Sequence, residues 1–176
     1  MKAFATALLV LVAACGEGRV ILNVDVLSFL SAADSTTSYN VPGGIPQADS
    51  SITQLIPLPG GLGKSSIDSV SATAAAIIEN ATGSGSVQFD VFFAKTQGSL
   101  FTGTPYLSAA SGPIVGADTV QLLPPTSVSL ADTVFNTDSL WVGIRARIST
   151  NVGPNMTGQF RLTTLGLRIA VQDKVF

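Results

Sequence analysis

Asp132, Asn136 and Asp138 fall within seven positions of one another, and side-chain oxygens grouped in this way are what a hard cation such as calcium takes as ligands. Their spacing fits no strict calcium-loop pattern, and Asp and Asn are ordinary turn formers, so the segment reads as a turn and no metal is expected. Glu79 is the sole acid of its stretch and has no identifiable partner carboxylate, which glycoside hydrolysis needs; it reads as an exposed strand-end residue. Serines are numerous, but the chain has no histidine, so a serine nucleophile would require lysine or another unusual base. The pair Lys64-Ser65 is the nearest arrangement of that kind. The run Gly60-Gly61-Leu62-Gly63-Lys64-Ser65 lacks the spacing of a phosphate-binding loop, and a strand pattern rather than a helix follows it. With one cysteine in the whole chain, the usual soft-metal ligands are missing too. The residues therefore predict a non-catalytic protein without a cofactor. Asn80-Ala81-Thr82 and Asn155-Met156-Thr157 fit a glycosylation sequon but are more simply turn residues.

Cys15 remains as the residue with a chemistry of its own. Lys2 supplies a basic start, residues 3–12 form an apolar run broken only by Thr6, and Ala13 and Ala14 are small. That is the order of a secretory signal, and the run is far short of the roughly 20 apolar residues needed to span a membrane. Val12-Ala13-Ala14-Cys15 resembles the lipobox of bacterial lipoprotein precursors, whose cysteine receives a diacylglycerol thioether before cleavage and becomes the acylated first residue. The resemblance covers only the leader and names no family for the rest. It implies a signal peptide over 1–14, a short acylated tether over 15–18 and a folded domain over 19–176. It also implies export to the bacterial cell envelope, at the outer membrane or cell surface, with anchoring through acyl chains on Cys15.

Two sets of residues are candidates for binding. Tyr39, Tyr106 and Trp141 offer aromatic faces of the kind that stack on the apolar faces of sugars, which would suit a polysaccharide. The second set follows from charge. Charged residues make up 11% of the chain, less than half the usual share of about 25%, and their signs are unevenly spread. Residues 15–140 carry ten acids against three bases, whereas residues 141–176 carry five bases against one acid. Arg145, Arg147, Arg161 and Arg168 could form a surface for an anionic partner; the simpler expectation is that they lie on the solvent side of strands and pair with acids from other strands. Nothing in the balance calls for nucleic acid.

The elements that must position these residues read as strands. Val20, Leu22, Val24 and Val26 alternate with polar residues. Residues 31–66 are dense in Pro and Gly, with one convincing short strand over 52–58 that Pro57 restricts to an edge or a terminus. Val70, Ala72, Ala74, Ala76 and Ile78 keep a period of two and favour a strand over a helix. A turn follows, and Val87, Phe89, Val91 and Phe93 alternate on the far side of it, which predicts a hairpin. Leu140 to Ile148 repeats the pattern, with the turn Asn151-Val152-Gly153-Pro154-Asn155 leading to a return strand and a second hairpin. In that return strand Phe160 and Leu162 share one parity and Leu165, Leu167, Ile169 and Val171 the other, so the pleat must slip near Thr163 or Thr164, at a bulge or a change of sheet. Residues 98–137 add two or three short strands. The expected fold is all-β: a single antiparallel two-sheet β-sandwich, jelly-roll or Ig-like.

On this basis the expected function is that of a structural, adhesive or self-assembling module of the cell envelope. Its first strand could complete a neighbour's sheet and form a homo-oligomer by strand addition. The alternative is a carbohydrate-binding module using exposed aromatics, Tyr39, Tyr106 or Trp141.

Overall fold

The computed structural model describes residues 18–58, 66–130 and 132–173. The leader with Cys15 and the Lys64-Ser65 pair lie outside the described residues. Eleven strands are described: β1 (Gly18–Asp25), β2 (Thr36–Val41), β3 (Ala48–Pro57), β4 (Ser66–Thr82), β5 (Ser84–Ala94), β6 (Leu107–Ala110), β7 (Ile114–Val115), β8 (Asp118–Leu122), β9 (Ser127–Leu130), β10 (Ser139–Thr150) and β11 (Met156–Asp173). One short helical turn, α1 (Ala32–Ser35), leads into β2 and is capped by the Ser31 side chain, which accepts from the Asp34 amide. The period-two patterns decide the long strands. In β5, Val87, Phe89, Val91 and Phe93 point into the core, and in β10 Leu140, Val142, Ile144, Ala146 and Ile148 do the same.

Two antiparallel sheets pack face to face. In the first, β11 and β4 form the centre; β1 and β2 lie along the outer side of β11, and β8 and β9 along the outer side of β4. In the second, β10 and β5 form the centre, β3 flanks β10, and β6 and β7 flank β5. The strand at residues 52–58 is the C-terminal part of β3. It is an edge strand that ends at Pro57, where a missing N–H costs no ladder bond.

The two expected hairpins do not form. β4 and β5 are consecutive but belong to different sheets, and so do β10 and β11. The run 66–94 instead pairs antiparallel with the run 139–173 through both sheets, Thr82 opposite Thr157 in one and Gly85 opposite Thr150 in the other. The physical reason lies in the inward faces. Side by side in one sheet, the apolar faces of β4 and β5 would both need covering by something else. Folded over at Gly83, they cover each other.

All four long runs bend in this way. The corners carry Gly44, Gly83, Gly116 and Gly153, each at positive φ, and backbone bonds stitch neighbouring corners together. The Gly44 amide donates to the Asn151 carbonyl, the Asn151 amide to Ser84, and the Gly116 amide to Gly83, each at 2.9 Å. Read as spatial order, β2-β11-β4-β8 faces β3-β10-β5-β6, which is the paired Greek-key arrangement of a jelly roll rather than an Ig-like sandwich. β1 is an addition to it, paired with β11 over Gly18 to Asp25.

The pleat slip sits where the parity change requires it. The β11–β4 register shifts between Leu162 and Thr164, and the displaced Thr163 hydroxyl donates to the Ala75 carbonyl at 3.1 Å. β2 was not expected from the sequence, because Thr36-Thr37-Ser38-Tyr39-Asn40 offers a single apolar side chain to the pattern.

Candidate functional site

The outer face of the second sheet holds the strongest concentration of charge. Asp90 stands at mid-strand in β5 on the parity opposite to the core phenylalanines, directly across from Arg145 of β10. Its carboxylate is fully buried. Oδ2 accepts from Arg147 Nη2 at 2.6 Å and pairs with Arg145 Nη2 at 3.5 Å. Oδ1 accepts from the Ser108 hydroxyl at 2.7 Å and from the Gln88 amide at 3.1 Å. A buried charge is tolerated only when paired and hydrogen-bonded, and here Asp90 accepts three hydrogen bonds and has a second cation, Arg145, beside it.

A roof covers part of this face. Residues 95–106 fold back so that Leu100 packs with Phe92 and Ala94 in a small second core, flanked by Phe101 and Trp141. The Arg145 guanidinium lies 4.7 Å from the Phe92 ring centre and 5.6 Å from that of Phe101, which adds attraction between cation and ring. Phe101 can lie flat on the sheet because position 143 is glycine; a Cβ there would come within 2.9 Å of the Phe101 ring.

Beyond the roof is an open cleft of about 730 Å³, with Lys95, Tyr106, Ser129 and Thr133 on its walls. The Tyr106 hydroxyl donates to Asp132 Oδ2 at 2.6 Å, the Ser129 hydroxyl donates to the same oxygen at 3.2 Å, and the Val134 amide donates to Oδ1 at 2.9 Å. Burial pushes the Asp132 carboxyl up, but the bonds from Tyr106, Val134 and Ser129, with the charge of Lys95, outweigh it and leave its pKa below the ordinary value. Burial, the bond to Asp132 and the charge of Asp132 push the Tyr106 phenol well up. The Tyr106 ring meets Phe93 and Phe135 edge-on, at 5.2 and 5.7 Å. These groups are therefore engaged with one another, a phenol kept neutral against a carboxylate kept charged. Asp132 caps a turn of helix at Thr133–Phe135, and among the described residues no cluster of three potential metal-ligating side chains occurs.

Tyr39 is placed at the corner row. Its hydroxyl donates to Asn80 Oδ1 at 2.9 Å, and burial pushes its pKa up to about 12. Asn80 Nδ2 in turn donates to the carbonyls of Gly116 at 2.6 Å and Thr82 at 3.1 Å. A buried asparagine with its amide nitrogen so committed is a corner clasp, which accounts for the Asn80-Ala81-Thr82 sequence without glycosylation. Asn155, in the other sequon, is exposed and donates to Asn40.

The residues singled out from the sequence are thus not brought together. Tyr39 faces inward from β2, Tyr106 packs at the end of the core, and Trp141 lies half-buried on the outer face of the second sheet. They share no face on which a sugar ring could stack. The arginines divide as well: Arg145 and Arg147 project from the second sheet, Arg161 and Arg168 from the outer face of the first. Arg161 pairs with the exposed Glu79 at 3.1 Å, as expected of arginines facing acids on neighbouring strands. Arg168 has no acid within ion-pair distance among the described residues. Sequence reasoning missed Asp90, since a lone acid in an alternating strand gives no sign that two arginines from a strand more than fifty residues later will converge on it.

No family model matches the chain, and no curated protein sequence matches it. Among solved structures, that of the infectious bursal disease virus Gx strain is 12% identical over 90% of this chain and 34% of its own, with a TM-score of 0.47. The T13 particle of infectious bursal disease virus is 9% identical over 88% of this chain and 35% of its own, at 0.45. The crystal structure of PirA is 11% identical over 74% of this chain and 94% of its own, at 0.36. This chain spans about a third of the length of the viral chains it is similar to.

Proposed function

We propose that this protein is a non-catalytic structural module of the bacterial cell envelope, a jelly roll held on the membrane through acyl chains on Cys15 and assembling with further copies of itself. The observation that carries the assembly reading is the outer face of the first sheet. Paired directly across four strands, Ile21, Ala170, Ser69 and Leu130 form one row, and Asn23, Arg168, Ser71 and Val128 form the next. The centre of this face carries the small Ala170, Ser69 and Ser71 beside the Arg168 side chain. Its margins are apolar, with Ile21 43%, Val128 64% and Leu130 76% exposed. Leu123, 64% exposed, extends the apolar margin along the β8–β9 side. Exposed apolar side chains grouped as those of Val128 and Leu130 are suit a protein contact, and β9, only Ser127–Leu130 long, pairs with β4 alone among the described strands.

The anchor reading rests on the lipobox resemblance. Gly18 opens β1 opposite Asp173, so a tether at 15–18 would fix the domain at the end of β11 that bears the Ile21 row. One acyl chain binds marginally and several bind stably, so a multiply acylated Cys15 is required. Two experiments test the two halves. Cys15→Ser should move the protein from the membrane to the soluble fraction; unchanged membrane association refutes the anchor. Sedimentation of the domain over a range of concentrations should show reversible self-association that Val128→Lys with Leu130→Lys abolishes; a monomer at every concentration refutes assembly.

A further inference from the structure

On the side of the sandwich where β2 and β3 end the two sheets, an apolar cavity of about 160 Å³ opens between them. Its floor is Ile144, Ala146 and Ile148 of β10 with Phe160 of β11, and its walls include Val41 and Ile52. The small side chain of Ala146, between two isoleucines on the same inward face, is what leaves the space. At the mouth stand Thr37 from β2 and Ser50 from β3; Asp49, next to Ser50 but of the opposite parity in β3, lies across from Arg147 and accepts a bond from the Gln47 amide at 2.9 Å.

Size and lining point to one class of occupant. A dry apolar cavity of about 150 Å³ holds a benzene ring, and binding pockets in general pair an apolar interior with a few polar groups that fix orientation. Here the polar groups facing the interior include the neutral hydroxyls of Thr37 and Ser50, and no basic side chain is among the lining residues. An apolar body can fill the interior while a hydroxyl meets Thr37 and Ser50; a carboxylate head would lose its hydration with no cation in the lining to pair with, and is disfavoured. We propose that this cavity is a binding site for a small neutral amphiphile, a phenol or a short branched alcohol of about six to eight heavy atoms. The proposal is independent of self-assembly, since the cavity lies between the strands opposite the β8–β9 margin.

The test is a methyl-detected NMR titration of the folded protein with phenol, with benzoate as the charged comparator. Phenol should give saturable shifts at the methyls of Ile52, Ile144 and Ile148, and benzoate should bind at least about tenfold more weakly. Ala146→Leu fills the space and should abolish the phenol shifts. Should that variant fail to fold, Ser50→Phe at the exposed mouth blocks the same cavity from outside and should have the same effect. Absence of saturable shifts, equal affinity for benzoate, or phenol shifts that survive both blocks would each overturn the assignment.

Discussion

The Tyr39 hydroxyl reaches across β11 to Asn80, joining two strands that do not pair with each other. Gly158 is the residue of β11 that lies opposite both, and it is bare where the hydroxyl passes: a Cβ there would stand 2.6 Å from the Tyr39 oxygen and closer still to the Glu79 carbonyl. Tyr39→Phe, which deletes the bond and leaves Asn80 Oδ1 without its donor, should cost about 1 kcal/mol. Asn80→Ala strips the Gly116 and Thr82 carbonyls as well and should cost about 3 kcal/mol. Gly158→Ala should match or exceed the Tyr39 loss, and combining it with Tyr39→Phe should be less than additive. Urea unfolding of the four variants measures all of this.

Asp90→Ala leaves two arginines facing each other over an apolar floor and should destabilise the domain by about 3 kcal/mol. Replacing the set together, Asp90→Leu with Arg145→Met and Arg147→Met, should recover most of that loss, because apolar packing substitutes well for a buried ion network. Thermal unfolding of the single and triple variants decides it; a triple variant less stable than Asp90→Ala would show that the network contributes net stability.

The tyrosines and Asp132 give the stability curve a shape at both ends of the pH scale. The Asp132 carboxyl lies below its ordinary 3.8 in the fold, so its contribution is present above that value and lost as pH falls through the folded one. Tyr39 is raised from 10.0 to about 12, so the fold holds its proton more tightly and stability falls as pH climbs from 10 towards 12. Melting temperatures across pH should therefore show a shallower acid decline in Asp132→Asn and a shallower alkaline decline in Tyr39→Phe. An unchanged acid limb in Asp132→Asn would remove it as a source.

Trp141 is the only tryptophan, and it packs beside Phe101 in the small second core. Gly143→Val should push Phe101 off the sheet and open the 95–106 roof without unfolding the sandwich. Tryptophan emission should shift to the red and become more accessible to acrylamide, while the main unfolding transition moves by only about 1 kcal/mol.

What the sequence disclosed was the side each residue faces. Alternation placed Phe89 and Ile144 inside and Arg145 outside, and the parity change after Leu162 located the bulge to within a residue. What it did not disclose was partnership. A glycine turn between two alternating runs has the same local signature whether the strands return in one sheet or fold into two, and Gly83 does the second. The outcome is set by residues 139–173, which occupy the pairing edges that a hairpin would have used. The surroundings of the aromatic candidates were hidden for a related reason: parity puts Trp141 outside, but the roof that half covers it comes from a stretch with little periodicity. Tyr39 sits in a strand too polar to be recognised, and nothing local marks Gly158 as the gap that its hydroxyl needs.

The bent-ribbon architecture has a kinetic consequence. No two consecutive long strands zip up as neighbours, so folding cannot begin from a local hairpin among them: β5 must wait for β10, β4 for β11, and β1 closes against residues at the far end of the chain, Gly18 with Asp173. Topologies dominated by such distant pairings fold in milliseconds to seconds rather than microseconds. During synthesis the described strands of the first hundred residues have no sheet partners to offer one another, and the backbone edges that β4 and β5 turn towards β11 and β10 stay unpaired until the last two strands leave the ribosome.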